Sequence, residues 1–539
     1  MNASDSSDRT GVIAPTSATP PTTIPWLGLL AVLMGTFIST VNTRLSSFGL
    51  ADIRGAMGAG FDEGAWISTA QTVAQMSVTL AAVWMGAAYG PRRVLMGASI
   101  AFAFFSLLTP LSANLSMLLA MQFLAGMASG FFIPLTLSFI LLNMPPKYWA
   151  FGIAVYALNL ELSLNISASL EGWYVEHHSW RWIFWQNVPF ALIMSLCLLR
   201  GIANKPIVTR PPSDVFALLA GGSGLALIYA ALDQGNRLDW LNSGLIWGLL
   251  GGGILLNAAF VVHELHTPRP LLNLKVVFSA PIVTQFVLIA FLRLTILATA
   301  FLIPLFLVSV RGYRALEVGD TLIWIAAPQL IICPLAALML RRSDSRLVAA
   351  VGFIFISVAC LMVAFNLTPI WGSEQFLPSQ LLQSVGQSFA LSGVVFFGIL
   401  HLKPQDALTF GAILQTARLM GGEIGSAFVT TLSRVREQVA SNLIGQHVRI
   451  GDAQVIERLK VYGAATTRVT DPVGAANRGK QILGNVIHAA ATTQAVIDCF
   501  VAIGLLTAVV LLILIARDAA PEGPASPTPL FPIRGSKPP

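Results

Sequence analysis

The chain has 539 residues, of which 55% are hydrophobic and 11% are charged, and its formal net charge is +7. A soluble globular protein carries roughly 25% charged residues, so this composition cannot cover a water-facing surface. Many apolar runs exceed the roughly 20 residues that cross a bilayer as a helix. The composition therefore excludes a soluble enzyme and predicts an all-α polytopic membrane protein.

The apolar runs, divided at charged residues and at Pro or Gly breaks, predict fourteen transmembrane helices. Six helices, then a pair, then six more is the organisation expected of a transporter built from structural repeats, with the inserted pair outside the repeats. The predicted spans are 26–50, 64–88, 94–115, 117–142, 150–173, 183–200, 213–234, 243–264, 282–310, 316–340, 347–367, 376–402, 406–432 and 494–516.

These spans define a predicted domain organisation. The two ends of the chain are polar and rich in Pro, Ser or Thr, which is typical of disordered tails. One long connection, 433–493, mixes charges with apolar positions at helical spacing and is predicted to be a periplasmic helical hairpin. The predicted domains are a tail at 1–24, an N-terminal bundle at 25–200, an inserted pair at 201–265, a C-terminal bundle at 266–516 that includes the hairpin, and a tail at 517–539.

The distribution of Lys and Arg predicts the orientation, because basic residues in short loops are retained in the cytoplasm. With the N-terminus inside, the cytoplasmic loops hold most of the basic residues, so both termini are predicted to be cytoplasmic. The cytoplasmic residues are Arg92, Arg93, Lys147, Arg200, Lys205, Arg210, Arg269, Lys275, Arg341, Arg342, Arg346 and Lys403, against Arg54, Arg181, Arg237, Arg311 and Arg314 outside.

Two motifs could indicate a nucleotide-binding site or a metal site. Residues 474–480 have the spacing of a phosphate-binding loop, but Gln481 replaces the Ser or Thr that holds magnesium and no strand precedes the segment. Glu176, His177 and His178 resemble a metal cluster, yet they lie beside tryptophans at a predicted membrane boundary, where amphipathic residues are expected. We therefore predict no catalytic site, no metal site and no cofactor, and expect a proton gradient to supply the energy.

Ionisable residues inside spans are the best candidates for function, because each costs roughly 2.5–3.5 kcal/mol at a helix centre. Spans one and nine each carry an Arg, and spans five and thirteen each carry a Glu, so equivalent helices of the two halves repeat the pattern. We predict that these groups surround a shared cavity, with Arg44 paired to Glu161 and Arg293 paired to Glu423. Static ion pairs are the alternative. The residues are Arg44, Glu161, Glu171, Arg293, Arg418 and Glu423, with Glu171 expected to be an anchor at the membrane boundary.

Several segments together resemble the fourteen-span drug:proton antiporters of the major facilitator superfamily, of the EmrB type. The resemblance runs from about Leu27 to Ala516 and implies two helical bundles that rock about a central site and export amphiphilic molecules in exchange for protons. The segments are Gly58 to Trp66, Trp180 to Pro189, Phe301 to Pro304 with Gly312 and Tyr313, Asp344 to Arg346, Pro378 to Gln380, and Arg418 to Gly425.

The chain departs from that family at its coupling motifs. Asn42 stands where such proteins carry an acid, Arg44 where they carry a small hydroxyl residue, and Gln122 where they carry an Arg. Ser167-Ala168 and Glu171-Gly172 replace the Gly-Pro and Gly-Gly of the antiporter motif. The loop from Gly86 through Gly90 to Arg92 and Arg93, which resembles a gating loop, lacks its usual acid. A substitute carboxylate, Glu161 or Glu423, is expected to carry the proton, since burial and a nearby Arg shift its proton affinity in opposite directions.

We therefore predict an inner-membrane exporter of amphiphilic drugs or metabolites, with acidic molecules favoured by the arginines. The predicted site comprises Asn42, Arg44, Gln122, Glu161, Arg293, Arg418 and Glu423. The expected partners are a small-molecule substrate and membrane lipids, with no nucleic acid. The resemblance also implies a periplasmic adaptor and an outer-membrane channel. An uptake carrier or uniporter, and a transport-inactive sensor or scaffold, remain as alternatives.

Overall fold

The computed structural model has helices as its regular structure and contains no strand in its described ranges. Among the residues that the structure describes, twelve helical stretches are long and apolar enough to cross a membrane, which confirms the prediction of a polytopic all-α protein. The predicted tails lie outside the described residues. The described residues are 25–202, 214–268, 270–272, 274–402, 406–449, 451–464 and 472–516.

The N-terminal bundle contains two interrupted spans where continuous helices were predicted. Span two breaks at Val78, and span four breaks at Gly130. A Cβ atom at Gly130 would lie 2.9 Å from the Gln75 carbonyl oxygen, so the break brings the two spans into backbone contact. The helices are α1 (Trp26–Phe48), α2 (Leu50–Met57), α3 (Phe61–Gly64), α4 (Trp66–Ser77), α5 (Thr79–Tyr89), α6 (Pro91–Leu108), α7 (Leu115–Ser129), α8 (Phe132–Asn143), α9 (Trp149–His177), α10 (Trp182–Trp185) and α11 (Asn187–Gly201).

The inserted pair is an antiparallel hairpin of α12 (Val215–Gly235) and α13 (Gly244–His266). Asp214 caps α12 by accepting a hydrogen bond from the Ala217 amide at 3.0 Å and also pairs with His263 of α13 at 2.5 Å. The hydrogen bond from the backbone and the contact with His263 hold the pKa of the Asp214 carboxyl below its usual value. The two helices are thus tied together at that end.

The C-terminal bundle repeats the helix contacts of the N-terminal bundle. In the first half α1 packs against α9, and α6 packs against α11; in the second half α15 packs against α19, and α17 packs against α21. This repetition is the two-bundle architecture that the sequence predicted. The helices are α14 (Leu274–Val277), α15 (Ala280–Arg311), α16 (Ala315–Arg342), α17 (Ser345–Asn366), α18 (Ser373–Leu400), α19 (Ala407–Gly445), α20 (Ala453–Ala464) and α21 (Pro472–Ile515).

The two bundles meet closely at one end of the molecule. Between α8 and α19, the Ser138 hydroxyl donates to the Ala407 carbonyl oxygen at 3.3 Å. Further along the same contact, a Cβ atom at Gly411 would lie 2.4 Å from the Pro134 carbonyl oxygen. Helix α9 also packs along α16. These backbone contacts close the end at which α19 begins.

Two helices continue well past their predicted spans. Helix α19 extends to Gly445 and α21 begins at Pro472, so the segment predicted as a hairpin consists, in its described part, of these extensions and α20. An ion pair between Arg436 and Asp498 at 2.5 Å and a hydrogen bond between His488 and Glu437 at 3.0 Å join α19 to α21. Residues 474–480, which have the spacing of a phosphate-binding loop, lie within α21 and are helical.

Candidate functional site

A cavity of about 440 Å³ lies between the two bundles. Helices α1 and α4 of the N-terminal bundle, α15 and α19 of the C-terminal bundle, and the inserted helix α12 form its walls. Arg293 and Arg418 lie deep in it and are buried, whereas Ser47, Val308 and Ser309 are exposed. The mouth therefore lies at the end where α1 and α15 terminate, opposite the closed end. We call this space the chamber.

The chamber contains four of the ionisable residues that the sequence singled out. Arg44 comes from α1, Arg293 from α15, and Arg418 and Glu423 from α19. The equivalent helices α1 and α15 thus both point an arginine into one space. Their roles remain predictions, but their positions meet the geometric condition for a shared site.

The ion pairing differs from the prediction. Arg293 donates from Nη1 to Oε1 of Glu161 at 2.9 Å, and both side chains are buried, at 3% and 0% exposure. The predicted pairs, Arg44 with Glu161 and Arg293 with Glu423, are therefore wrong. The observed pair joins α15 to α9 and so crosses from one bundle to the other. Glu161 lies behind Arg293 and reaches the chamber through it.

The contacts found for Arg44 and Arg418 in the described part of the chain are with neutral side chains. The Arg44 guanidinium lies 5.0 Å from the centre of the Phe48 ring, and its buried Nε has no hydrogen-bond partner among the described residues. Arg418 donates from Nε and Nη2 to Oε1 of Gln415 at 3.2 and 3.1 Å. Cationic hydrogen-bonding capacity therefore remains available at the chamber wall.

The chamber also has apolar lining residues. Most of them lie on α15, and α1 and α19 add the others. These side chains can cover a hydrophobic body while the charged groups orient a polar group, as is usual in a small-molecule site. The apolar lining consists of Phe48, Leu297, Ala300, Phe301, Pro304, Leu305, Val308 and Leu419.

Two residues predicted to face the cavity lie elsewhere. Asn42 is buried on the side of α1 that faces α11, where its Oδ1 accepts from Nδ2 of Asn187 at 2.6 Å. Gln122 of α7 donates to the Ser46 hydroxyl at 3.3 Å, and Gln71 and Thr43 extend this network across α4 and α1. These amides cross-link the helices within the N-terminal bundle and do not line the chamber.

The predicted gating loop lies at the closed end, away from the chamber. Gly90 joins α5 to α6 with φ +83°, a conformation that glycine adopts without strain. A Cβ atom at Gly86 would lie 2.7 Å from a Leu135 side-chain atom and 3.2 Å from Leu408. Arg92 donates to the Leu199 carbonyl oxygen at 2.9 Å, and Arg93 is exposed. The loop therefore packs beside the contact that closes the two bundles.

Two chamber residues, Tyr229 and Asp233, were not predicted, because they lie on the inserted pair, which was placed outside the repeats. Helix α12 packs against both α4 and α19, and both residues line the chamber. The Tyr229 hydroxyl donates to Oε2 of Glu423 at 2.7 Å. An available signal was Asp233 itself, an ionisable residue within an otherwise apolar predicted span.

Two repeated helical bundles around an amphipathic chamber define a membrane transporter, and comparison with known proteins gives its family. The chain belongs to the Major Facilitator Superfamily, whose sequence model matches residues 32–426. The solved structure of the proton:xylose symporter XylE aligns with a TM-score of 0.55 at 9% identity, over 86% of this chain and 94% of that chain. That likeness supports the fold alone.

Its curated relatives are export and resistance proteins. The chain is 27% identical over 431 residues to the probable multidrug resistance protein EmrY of Escherichia coli, covering 77% of this chain and 81% of EmrY. It is 24% identical over 414 residues to the multidrug export protein EmrB of E. coli, covering 76% and 80%. It is 23% identical over 429 residues to the fatty acid resistance protein FarB of Neisseria gonorrhoeae, covering 78% and 83%. The EmrB-type resemblance seen in the motifs is confirmed.

The buried ion pair yields a stability prediction. Arg293→Met leaves the Glu161 carboxylate without its partner, and we expect unfolding free energy to fall by about 3–5 kcal/mol. Adding Glu161→Gln removes the buried charge and should recover most of that loss. Denaturant unfolding of the purified protein in detergent measures both. Equal, additive losses from the two substitutions would contradict a direct coupling between the two side chains.

Proposed function

We propose that this protein exports amphiphilic small molecules across the bacterial inner membrane by alternating access, in exchange for protons. The observation that carries the proposal is the chamber, in which Arg44, Arg293, Arg418 and Glu423 from both bundles line one space together with apolar side chains. The names of the relatives EmrB, EmrY and FarB support export as the direction. The proton gradient is the energy source, so the cycle needs no cofactor and no enzymatic step.

The chamber suits a molecule with an apolar body and one polar group. Phe301, Leu305 and Phe48 offer the apolar contacts, and the guanidiniums lie in the same chamber. Arginine binds carboxylate, sulfonate and phosphate groups through several hydrogen bonds at once. Such a site accepts many skeletons, because apolar contacts are non-directional and only the polar group is oriented.

Either Glu161 or Glu423 serves as the proton carrier in this proposal. Glu161 is held by Arg293, and Glu423 is held by Tyr229, so each has a partner that favours its ionised form. Each partner lies on a different helix from its carboxylate. Rocking of one bundle against the other changes these distances and hence the proton affinity of the carboxylate.

The orientation follows from the basic loops, with both termini in the cytoplasm. The chamber then opens toward the periplasm, and the contact between α8 and α19 seals the cytoplasmic end. The extensions of α19 and α21, with α20, project on the periplasmic side and offer a basic helical surface. We assign this surface to a periplasmic adaptor that leads to an outer-membrane channel.

Neutral substitutions test the proton carriers. Of Glu161→Gln and Glu423→Gln, the variant that replaces the carrier should abolish pH-driven transport, because the amide cannot load a proton, while binding of a neutral amphiphile persists. Phenylnaphthylamine fluorescence measures binding, and its transport in proteoliposomes with an imposed pH gradient measures coupling. Glu171→Gln is the matched control, since Glu171 is also buried on α9 but neither lines the chamber nor pairs with Arg293. Unchanged pH-driven transport in both variants would remove the assignment.

The charge of the transported molecule distinguishes proton exchange from uniport or uptake. Three guanidiniums face the carboxylates of Glu423 and Asp233, so each bound proton makes the chamber more positive. An anionic cargo and a proton therefore favour each other, whereas exchange requires that one replace the other. A neutral cargo that contacts Glu423 satisfies exchange directly. For a strictly anionic cargo, this charge balance favours uniport or uptake instead.

The arginines give a selectivity prediction. Arg44→Gln should weaken binding of anilinonaphthalene sulfonate about tenfold or more, because a hydrogen bond to a charged group contributes about 1.5–3 kcal/mol. Phenylnaphthylamine has the same skeleton without the sulfonate, so its affinity should change less than about twofold. Arg311→Gln, at the exposed end of α15, is the control. Equal losses for both probes would show that Arg44 supports the chamber without selecting charge.

If the protein were a sensor or scaffold with the same fold, it would bind a molecule without exchanging it across the membrane. Counterflow in proteoliposomes detects exchange of a bound molecule without any imposed gradient. Exchange indicates a carrier, and its dependence on a pH gradient indicates antiport. Binding without exchange would support the sensor and contradict the proposed function.

A further inference from the structure

The inserted helix α12 is built into the region between the two bundles. It approaches α4 through glycines, and a Cβ atom at Gly222 would lie 2.1 Å from the Ser77 carbonyl oxygen. No side chain larger than hydrogen fits there without displacement of backbone. Helix α12 also packs against α19 of the C-terminal bundle. The helix therefore touches both moving parts of the transporter.

Tyr229 and Asp233 lie four residues apart on α12, so they share one helix face. Asp233 accepts hydrogen bonds from Thr69 of α4 and from Gln234, the latter at 2.9 Å. Gln234 also donates to the Thr69 hydroxyl at 2.6 Å. One turn earlier, Tyr229 donates to Glu423 of α19 at 2.7 Å. The face is thus fixed to the N-terminal bundle and reaches the carboxylate of the C-terminal bundle.

The Tyr229 hydroxyl is a neutral group that donates a hydrogen bond to Glu423. Tyr229 is 8% exposed and Glu423 is also 8% exposed, so water competes little for this contact. A donated hydrogen bond stabilises the ionised carboxylate. When the bundles rock, the contact must break or α12 must follow α19. Either event changes the stability of the ionised Glu423.

The other charged groups around Glu423 come from several helices. Helix α4 offers hydroxyls only, and α5 and α8 carry no charged side chain. On α21, Asp498 is paired with Arg436, which lies on the far extension of α19. The charged groups that share the chamber with Glu423 are Arg44 of α1, Asp233 of α12, Arg293 of α15 and Arg418 of α19.

We propose that Tyr229 is a positioning residue of the coupling site, which holds the Glu423 carboxylate and sets the pH at which this carboxylate exchanges its proton. The inserted helix is then part of the transport machinery. This inference rests on the proposed function, because it requires Glu423 to carry a proton during transport. It assigns to the inserted pair a role that the two-bundle repeat does not include.

The test is the pH profile of phenylnaphthylamine exchange by the full-length protein in proteoliposomes. Tyr229→Phe removes only the hydroxyl, and we expect the profile to move toward alkaline pH by about one unit or more, since a hydrogen bond to a charged group is comparable to one pKa unit of free energy. Affinity for phenylnaphthylamine should change less than about threefold. A purely structural role would lower the rate at every pH without moving the profile.

The matched control is Tyr174→Phe. Tyr174 is buried on α9, and its hydroxyl donates to Gln186 at 2.9 Å, outside the chamber. Its loss should leave the profile in place. If Tyr229→Phe folds poorly, the double variant Tyr229→Phe with Glu423→Gln provides the test. Once Glu423 is neutral, Tyr229→Phe should have no further effect on the pH profile. An independent effect of Tyr229→Phe would overturn the proposal.

The outcomes separate this inference from the proposed function. If Glu423→Gln abolishes pH-driven exchange while Tyr229→Phe and Tyr174→Phe both keep the native profile, Tyr229 does not position the carboxylate and the inference fails alone. If Glu423→Gln retains the full pH-driven exchange, the assignment of Glu423 fails and the inference fails with it. If the pH profile shifts in Tyr229→Phe and not in Tyr174→Phe, the result supports both this inference and the assignment of Glu423.

Discussion

The buried ion pair between Arg293 and Glu161 is the constraint on which the arrangement of the site depends. A charged side chain inside a membrane-spanning segment is costly unless it has a partner, and here the partner belongs to the other bundle. The pair therefore links α15 to α9 at the depth of the chamber. It also leaves Arg44, Arg418 and Glu423 free to face the chamber, because Glu161 neutralises only Arg293.

The shape of the chamber follows from the same interface. Tight backbone contact between α8 and α19 closes one end, while α1, α4, α15 and α19 leave space toward the other end. The inserted helix α12 lies along this space and contributes Tyr229 and Asp233. Hence the site has three contributors, two repeated bundles and one additional helix. A transporter with this plan can respond to protons through contacts between bodies that move relative to one another.

Much of the fold could be predicted from the sequence because hydropathy acts locally. Long apolar runs predicted the helices, and the repeated Arg and Glu positions predicted residues that reach one chamber. The pairing of Arg293 with Glu161 could not be predicted, because periodicity places a residue on a helix face without giving the register between helices. The same limit explains Asn42 and Gln122, whose amides satisfy neighbouring helices. The breaks at Val78 and Gly130 depend on backbone contacts that leave no clear hydropathy signal.

The site residues on α12 were missed for a different reason. The two-fold repeat directs attention to helices that have a counterpart, and α12 has none. Its glycines and its Asp233 carry information only once α4 and α19 are known to flank it. The contacts of α12 with α4 and α19 thus make this helix part of the chamber wall.

Cysteine accessibility tests the central claim most directly, namely that both bundles line one water-reachable chamber. Cys197 is replaced by Ser, since the other three cysteines are buried. Thr43→Cys on α1 and Ser426→Cys on α19 should both react with a membrane-impermeant thiol reagent added from the periplasmic side, and saturating phenylnaphthylamine should slow both reactions. Labelling of the two positions from opposite sides, or rates that phenylnaphthylamine leaves unchanged at both, would contradict the account.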